Sequence, residues 1–173
     1  MKQPSAAADL MRPDARYGRA AKAVRSRGDG DLKPYELDDK GGIRPARPDG
    51  DHWGYHLILD CSECNEMVDD PPMVTAYLRE MVQALNMIAV GEPVVHQFTG
   101  EGDEGRGTSG VQIITTSSIT FHSDDDEWAA YIDIFSCKEF KPQIAIDLTK
   151  RHFAPKEMGC LWLYRDAGPW PKK

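Results

Sequence analysis

The sequence predicts an α+β fold, a two-layer sandwich in which an antiparallel sheet carries its helices on one face. Strand-like runs cluster between residues 93 and 137 instead of alternating strictly with helical patterns, and only the segments near 71–87 and 142–151 have helical character. A chain of 173 residues with 40% apolar content can bury one sizeable core, so a single domain is expected.

Residues 1–51 are rich in Arg, Asp, Gly, Pro and Ala, have few aromatics and keep no sustained period. They read as a disordered or poorly ordered extension in which a short helix over 10–24 is conceivable, and the folded domain is assigned to 52–173. Residues 53–61 (WGYHLILDC) read as a strand. Asp69-Asp70-Pro71-Pro72 then supplies the acidic and proline signals of a helix start. Val74, Tyr77, Leu78, Met81, Leu85 and Ile88 recur at three- and four-residue steps, which predicts a helix to about Met87 with one apolar face.

A short strand is expected over 93–98. Five glycines and several charges then make 99–110 a mobile loop. Strands over 111–115 and 119–122, an acidic turn over 123–127, a strand over 128–137, a helix over 142–151 and a closing strand over 159–165 complete the reading.

The net charge of −7 is unevenly distributed: residues 1–50 hold 11 basic against 8 acidic side chains, the remainder 10 against 20. An acidic domain argues against a nucleic-acid partner, since phosphate contacts need a basic face, and suits a cationic small substrate. No apolar run approaches the roughly 18 to 20 residues of a membrane span, and no signal-like core occupies the first thirty residues, so a cytoplasmic protein without membrane contact is expected. Cys61, Cys64, Cys137 and Cys160 are then better read as thiols than as a disulfide framework. Cys61-x-x-Cys64 has the spacing of half a zinc site or a redox pair, but no second pair exists, and no metal is assigned.

Residues 108–137 concentrate side chains of useful chemistry: Ser109, Ser117, His122 and Cys137, at spacings of 8, 5 and 15. Singly each has a plain structural reading, as turn serines, a satisfied histidine and a packed cysteine. Together with Gly54-Tyr55-His56, His96-Gln97-Phe98, Ser109-Gly110-Val111 and Ile132-Asp133, their order resembles that of the prokaryotic S-adenosylmethionine decarboxylases, over about residues 53–166.

That resemblance implies a pyruvoyl-dependent decarboxylase made as a proenzyme. The chain would cut itself between Thr116 and Ser117, giving a β chain (1–116) and an α chain (117–173), and Ser117 would become the pyruvoyl cofactor. An α-amino acid loses carbon dioxide readily only when its amine is joined as an imine to an electron sink, which is the Schiff-base chemistry the ketone allows. By resemblance, Ser109 and His122 assist processing and Cys137 returns a proton to the product carbon. Phe98, Thr116 and Asp60 are the substrate-binding candidates. The product would feed spermidine synthesis, and members of this short type commonly form homodimers whose sites draw residues from both subunits.

The cut site departs from the family pattern. Typical members read Glu-Ser-His there and His-Thr-Trp-Pro-Glu after it, whereas this chain has Thr116-Ser117-Ser118 and His122-Ser123-Asp124-Asp125-Asp126. Two other functions therefore stay open. One is a pyruvoyl enzyme for another cationic amino acid, ornithine or arginine, with Asp124 to Glu127 as the cation site. The other is an uncleaved binding or regulatory partner of an active homologue.

Overall fold

Residues 54–62 alternate in burial. Leu57, Leu59 and Cys61 are buried on one face, while His56, Ile58 and Asp60 take the other. The same alternation repeats across the sheet and makes one face apolar and the other mixed. The computed structural model describes residues 33–37, 43–46, 52–100 and 105–166. Its elements are β1 (Tyr35–Leu37), β2 (Ile43–Pro45), β3 (Gly54–Ser62), a 3-10 turn (Glu66–Asp69), α1 (Pro71–Ala84), β4 (Val94–Thr99), β5 (Arg106–Ile114), β6 (Ser117–Asp124), β7 (Ala129–Ser136), α2 (Pro142–Phe153) and β8 (Glu157–Arg165).

The described strands form one eight-stranded sheet in the order β2-β1-β8-β3-β7-β6-β5-β4. Every pairing is antiparallel except β1 with β8. The expected α+β sandwich is thus present. Its sheet reaches into the segment read as irregular, where β1 and β2 form; outside 33–37 and 43–46, residues 1–51, including 10–24 where a short helix was the lesser alternative to a poorly ordered extension, lie outside the described residues.

Both helices cover the apolar face. Val74, Tyr77, Leu78, Met81 and Val82 of α1 share a core with Ala145, Ile146, Leu148 and Phe153 of α2 and with Leu57, Ile119, Phe121, Ile132 and Ile134 of the sheet. Burying each large apolar side chain contributes about 1.5–3 kcal/mol, so this stripe holds the layers together. A buried polar contact crosses it: Thr149 Oγ1 donates to the Ala145 carbonyl at 2.8 Å and accepts the Tyr77 hydroxyl at 2.8 Å.

Helix α1 ends at Ala84, short of the expected Met87, because Asn86 adopts a left-handed φ of 51° and its N–H turns back to the Gln83 carbonyl. Ile88 consequently leaves the apolar stripe and is 67% exposed. Helix α2 runs on to Phe153 and closes with Lys150, Arg151 and His152 in its last turn, cations that suit the negative end of the helix dipole.

The loop expected over 99–110 is corrected most. Residues 106–110 are strand, paired with both β4 and β6 over part of their length; 101–104 lie outside the described residues. Glycine there serves close approach between strands. Gly107 has φ +148°, and a Cβ on it would fall 2.1 Å from the Ser123 carbonyl oxygen. Similarly, the strand expected over 119–122 runs from Ser117 to Asp124, so the acidic turn expected from Ser123 begins only after Asp124.

Candidate active site

Strands β5 and β6 are joined by a two-residue turn, Thr115 and Thr116, and Ile114 faces Ser117 across it. Ser117 opens β6 with φ +149°, a region that side-chain-bearing residues rarely adopt, at a cost of about 1–3 kcal/mol. On its other side Ser117 pairs with Ser136, the last residue of β7. Ser136 Oγ donates to Thr116 Oγ1 at 3.0 Å and accepts the Lys138 N–H at 3.0 Å. The backbone N–H of exposed Cys137 donates to the Thr116 carbonyl at 3.1 Å. Thr116, Ser117, Ser136 and Cys137 therefore meet at one end of the β6–β7 ladder.

Ser109 and His122 meet elsewhere. They are direct partners across β5 and β6, and Ser109 Oγ lies 2.8 Å from His122 Nδ1. Their row continues over the helix-free face through Tyr131 to Asp60 on one side and to His96 on the other. The His122 ring stacks on Tyr131 at 6.5 Å, and His96 meets Phe98 edge-on at 4.7 Å. The predicted residues thus divide into two groups, Thr116, Ser117 and Cys137 at one end of the sheet and Ser109, His122, Phe98 and Asp60 toward the other. Five residue steps along β6 separate Ser117 from His122, about 16 Å of extended strand.

A charged cluster that the sequence reading left unassigned occupies the same helix-free face. His56 Nε2 sits 2.9 Å from Asp133 Oδ1, and Arg165 reaches His56 Nδ1 at 3.1 Å while stacking over Phe135. Burial pushes the His56 imidazole below its ordinary pKa, against the raising effect of Asp133. Asp60 is raised, first by loss of surrounding water and then by Asp133. The signal was present in the period of two: 56 and 60 on β3 share a face with 133 on β7, but only the strand order brings Arg165 beside them.

The acidic turn is largely occupied with its own structure. Asp124 Oδ1 accepts the N–H groups of Asp126 and Glu127, and Asp125 pairs with Arg106 at 2.8 Å. Two of its four carboxylates are therefore committed within the protein. Among the described residues no group of three His, Cys, Asp or Glu side chains is placed to hold a metal ion, and no helix is long and apolar enough to cross a membrane.

Residues 55–166 match the model of a protein family described as S-adenosylmethionine decarboxylase. The chain belongs to that family. It is 29% identical over 107 residues to a Clostridium botulinum S-adenosylmethionine decarboxylase proenzyme, a match covering 61% of this chain and 87% of the relative. A proenzyme of the same name from Pyrococcus furiosus is 28% identical over 105 residues, covering 60% of this chain and 71% of that one. The crystal structure of the adenosylmethionine decarboxylase from Aquifex aeolicus superposes with a TM-score of 0.60 at 19% identity, over 72% of this chain and 99% of that one. At that identity the superposition speaks for the shared fold, the mainly antiparallel sheet with two helices on one face.

Proposed function

We propose that the chain cuts itself between Thr116 and Ser117 and, carrying the resulting pyruvoyl group at residue 117, decarboxylates S-adenosylmethionine. The observation that supports this reading best is the pairing of a strained Ser117, φ +149°, with a Thr116 carbonyl that already accepts the Cys137 N–H. Strain raises the energy of the uncut chain. The N–H donor stabilises the oxyanion that forms when Ser117 Oγ attacks the Thr116 carbonyl carbon.

The Thr116–Ser117 amide C–N bond then breaks, the new C–O ester bond remains, and the proton passes to the Ser117 nitrogen. A base removes the Ser117 α-proton as the Cβ–O bond breaks, freeing Thr116 as a carboxylate and leaving dehydroalanine. Addition of water and loss of ammonia leave the ketone. His122 suits the base because an imidazole nitrogen can accept a proton, and its ring is oriented by the Ser109 hydroxyl, 2.8 Å from Nδ1. The ketone supplies an electron sink for loss of carbon dioxide from an α-amino acid. Exposed Cys137 is the proton donor to the product carbon, while Phe98, Asp60 and the new Thr116 carboxylate hold the substrate.

His122 and Ser117 lie too far apart on one strand to meet within one subunit. A homodimer that packs the helix-free faces together in opposite directions would bring the Ser117 end of one copy to the Ser109–His122 end of the other. Val94, Ile113 and Tyr131, 68%, 55% and 45% exposed and lying on strands of this sheet, give such an interface apolar area.

A denaturing mass spectrum of the purified protein tests the cut, and a carbon dioxide assay on the same sample with S-adenosylmethionine, ornithine and arginine tests the substrate. Two fragments meeting at 116 and 117, with release from S-adenosylmethionine alone, are expected. Replacing Ser117→Ala should abolish both cleavage and turnover, and decarboxylation retained in that variant would overturn the pyruvoyl mechanism.

A further inference from the structure

The Cys61-x-x-Cys64 pair takes no part in the chemistry above, yet its placement is specific. Cys61 sits near the end of β3 on the helix-covered face and is 2% exposed. Strand β3 stops at Ser62, and Glu63, with a left-handed φ of 50°, turns the chain so that Cys64 comes back over the same layer. Two backbone bonds fix that turn: the Cys64 N–H donates to the Trp128 carbonyl at 2.8 Å and the Asn65 N–H to the Phe153 carbonyl at 2.8 Å. Cys64 remains half-buried and packs against the core cluster that holds the buried Cys61.

We propose that Cys61 and Cys64 form a reversible dithiol–disulfide couple that exchanges with low-molecular-weight disulfides. Cys64 is the attacking thiol: its sulfur bonds to one sulfur of the incoming disulfide, whose S–S bond breaks and releases the first small thiol. Cys61 then attacks the Cys64 sulfur, closing the internal disulfide and releasing the second. The protein loses two electrons and two protons, and the small disulfide gains them.

The acid–base asymmetry fits these roles. Interaction with Cys61 holds the Cys64 thiol below its usual pKa, although burial works against it, and interaction with Cys64 is the largest cause of the opposite displacement at Cys61. Once Cys64 is tied in a mixed disulfide its sulfur carries no charge, so that restraint on Cys61 ionisation disappears when Cys61 must act. The competing thiol is Cys160, also buried on the helix-covered face; it faces Leu59 and so lies diagonally from Cys61. Burial raises its pKa. Unlike Cys64, it offers no more accessible position from which to start the exchange.

The test is to equilibrate the full-length protein in glutathione buffers of stepped reduced-to-oxidised ratio, quench with acid, alkylate with N-ethylmaleimide and map the peptides by mass. The couple predicts a single transition in which Cys61 and Cys64 lose their alkylation together and neither of them retains glutathione, whatever the exposed Cys137 does. In reduced protein, Cys64 should alkylate roughly tenfold or more faster than Cys61 and Cys160. Cys61→Ala should trap a stable glutathione adduct on Cys64. A wild-type protein that keeps glutathione on Cys64, bonds Cys61 to Cys160, or leaves both thiols alkylated at every ratio would overturn the proposal. The wild-type readout requires no variant to fold.

Discussion

The Cys137 N–H reaches the Thr116 carbonyl oxygen at 3.1 Å, joining the residue just past β7 to the peptide bond entering β6. The backbone and side chain of Cys137 thereby acquire separable tasks. Cys137→Ala keeps the N–H and should still cleave, but decarboxylation should fall. Cys137→Pro removes the N–H and should slow cleavage by about 10²–10³-fold, the usual cost of losing one oxyanion donor. Timed denaturing mass spectra distinguish the two, and equal cleavage by both variants would remove the N–H from the mechanism.

The separation of Ser117 from the Ser109–His122 pair gives a test of shared sites. Ser117→Ala and His122→Ala homodimers should each stay uncut. In co-expressed mixtures the His122→Ala chain should be cut, because its intact Ser117 faces a partner's intact His122, while the Ser117→Ala chain stays whole. Mass spectrometry of the mixture reads both chains at once. A His122→Ala chain that remains uncut beside the Ser117→Ala chain would place the processing groups within one subunit.

Much of the fold was legible because period carries it: the apolar steps of α1 follow burial directly. Ser109, Ser117, His122 and Cys137 were legible as a set only through the resemblance of their order to the family's. What the sequence concealed depends on contacts distant in the chain. The Cys137 contribution is a backbone N–H and leaves no residue signature. Arg165 joins His56 and Asp133 only because β8 pairs with β3. Glycine-rich 99–110 resembled a loop, but Gly107 lies against the Ser123 carbonyl where a side chain would collide.

That collision predicts that Gly107→Ala is destabilising. Its φ of +148° strains any side chain, and the added Cβ would meet the Ser123 backbone of β6, the strand that carries His122. The combined effect should exceed about 1 kcal/mol, the scale of a simple glycine-to-alanine backbone effect. Urea unfolding checks it. A midpoint within error of wild type would mean that β5 and β6 do not pack this closely.

Tyr77 separates packing from hydrogen bonding. Its ring is fully buried against Phe121 and Phe153, whereas its hydroxyl donates to Thr149, which still has the Ala145 carbonyl as acceptor. Tyr77→Phe should therefore cost only about 1 kcal/mol, since no strong donor is stranded. Tyr77→Ala empties the ring's place and should cost about 3–5 kcal/mol. Similar losses in the two variants on denaturant unfolding would assign the stabilisation to the hydroxyl.

Glu80 links the helices through His152, at 2.7 Å, and through Arg151. The His152 hydrogen bond is the largest cause holding its carboxyl below the usual pKa, and Arg151 adds to it against a raising effect of burial. A carboxylate depressed in the folded state binds protons more readily in the unfolded chain as pH falls. Its stabilisation is complete above the ordinary glutamate pKa, about 4.3, and is lost as pH drops through the lower folded value. Solvent screens the pair, so the gain is small. Glu80→Gln should lower Tm slightly near neutral pH, and the difference from wild type should close as the solution is acidified below the folded-state value. A difference that stays constant with pH would mean that the glutamate acts through packing and not through its charge.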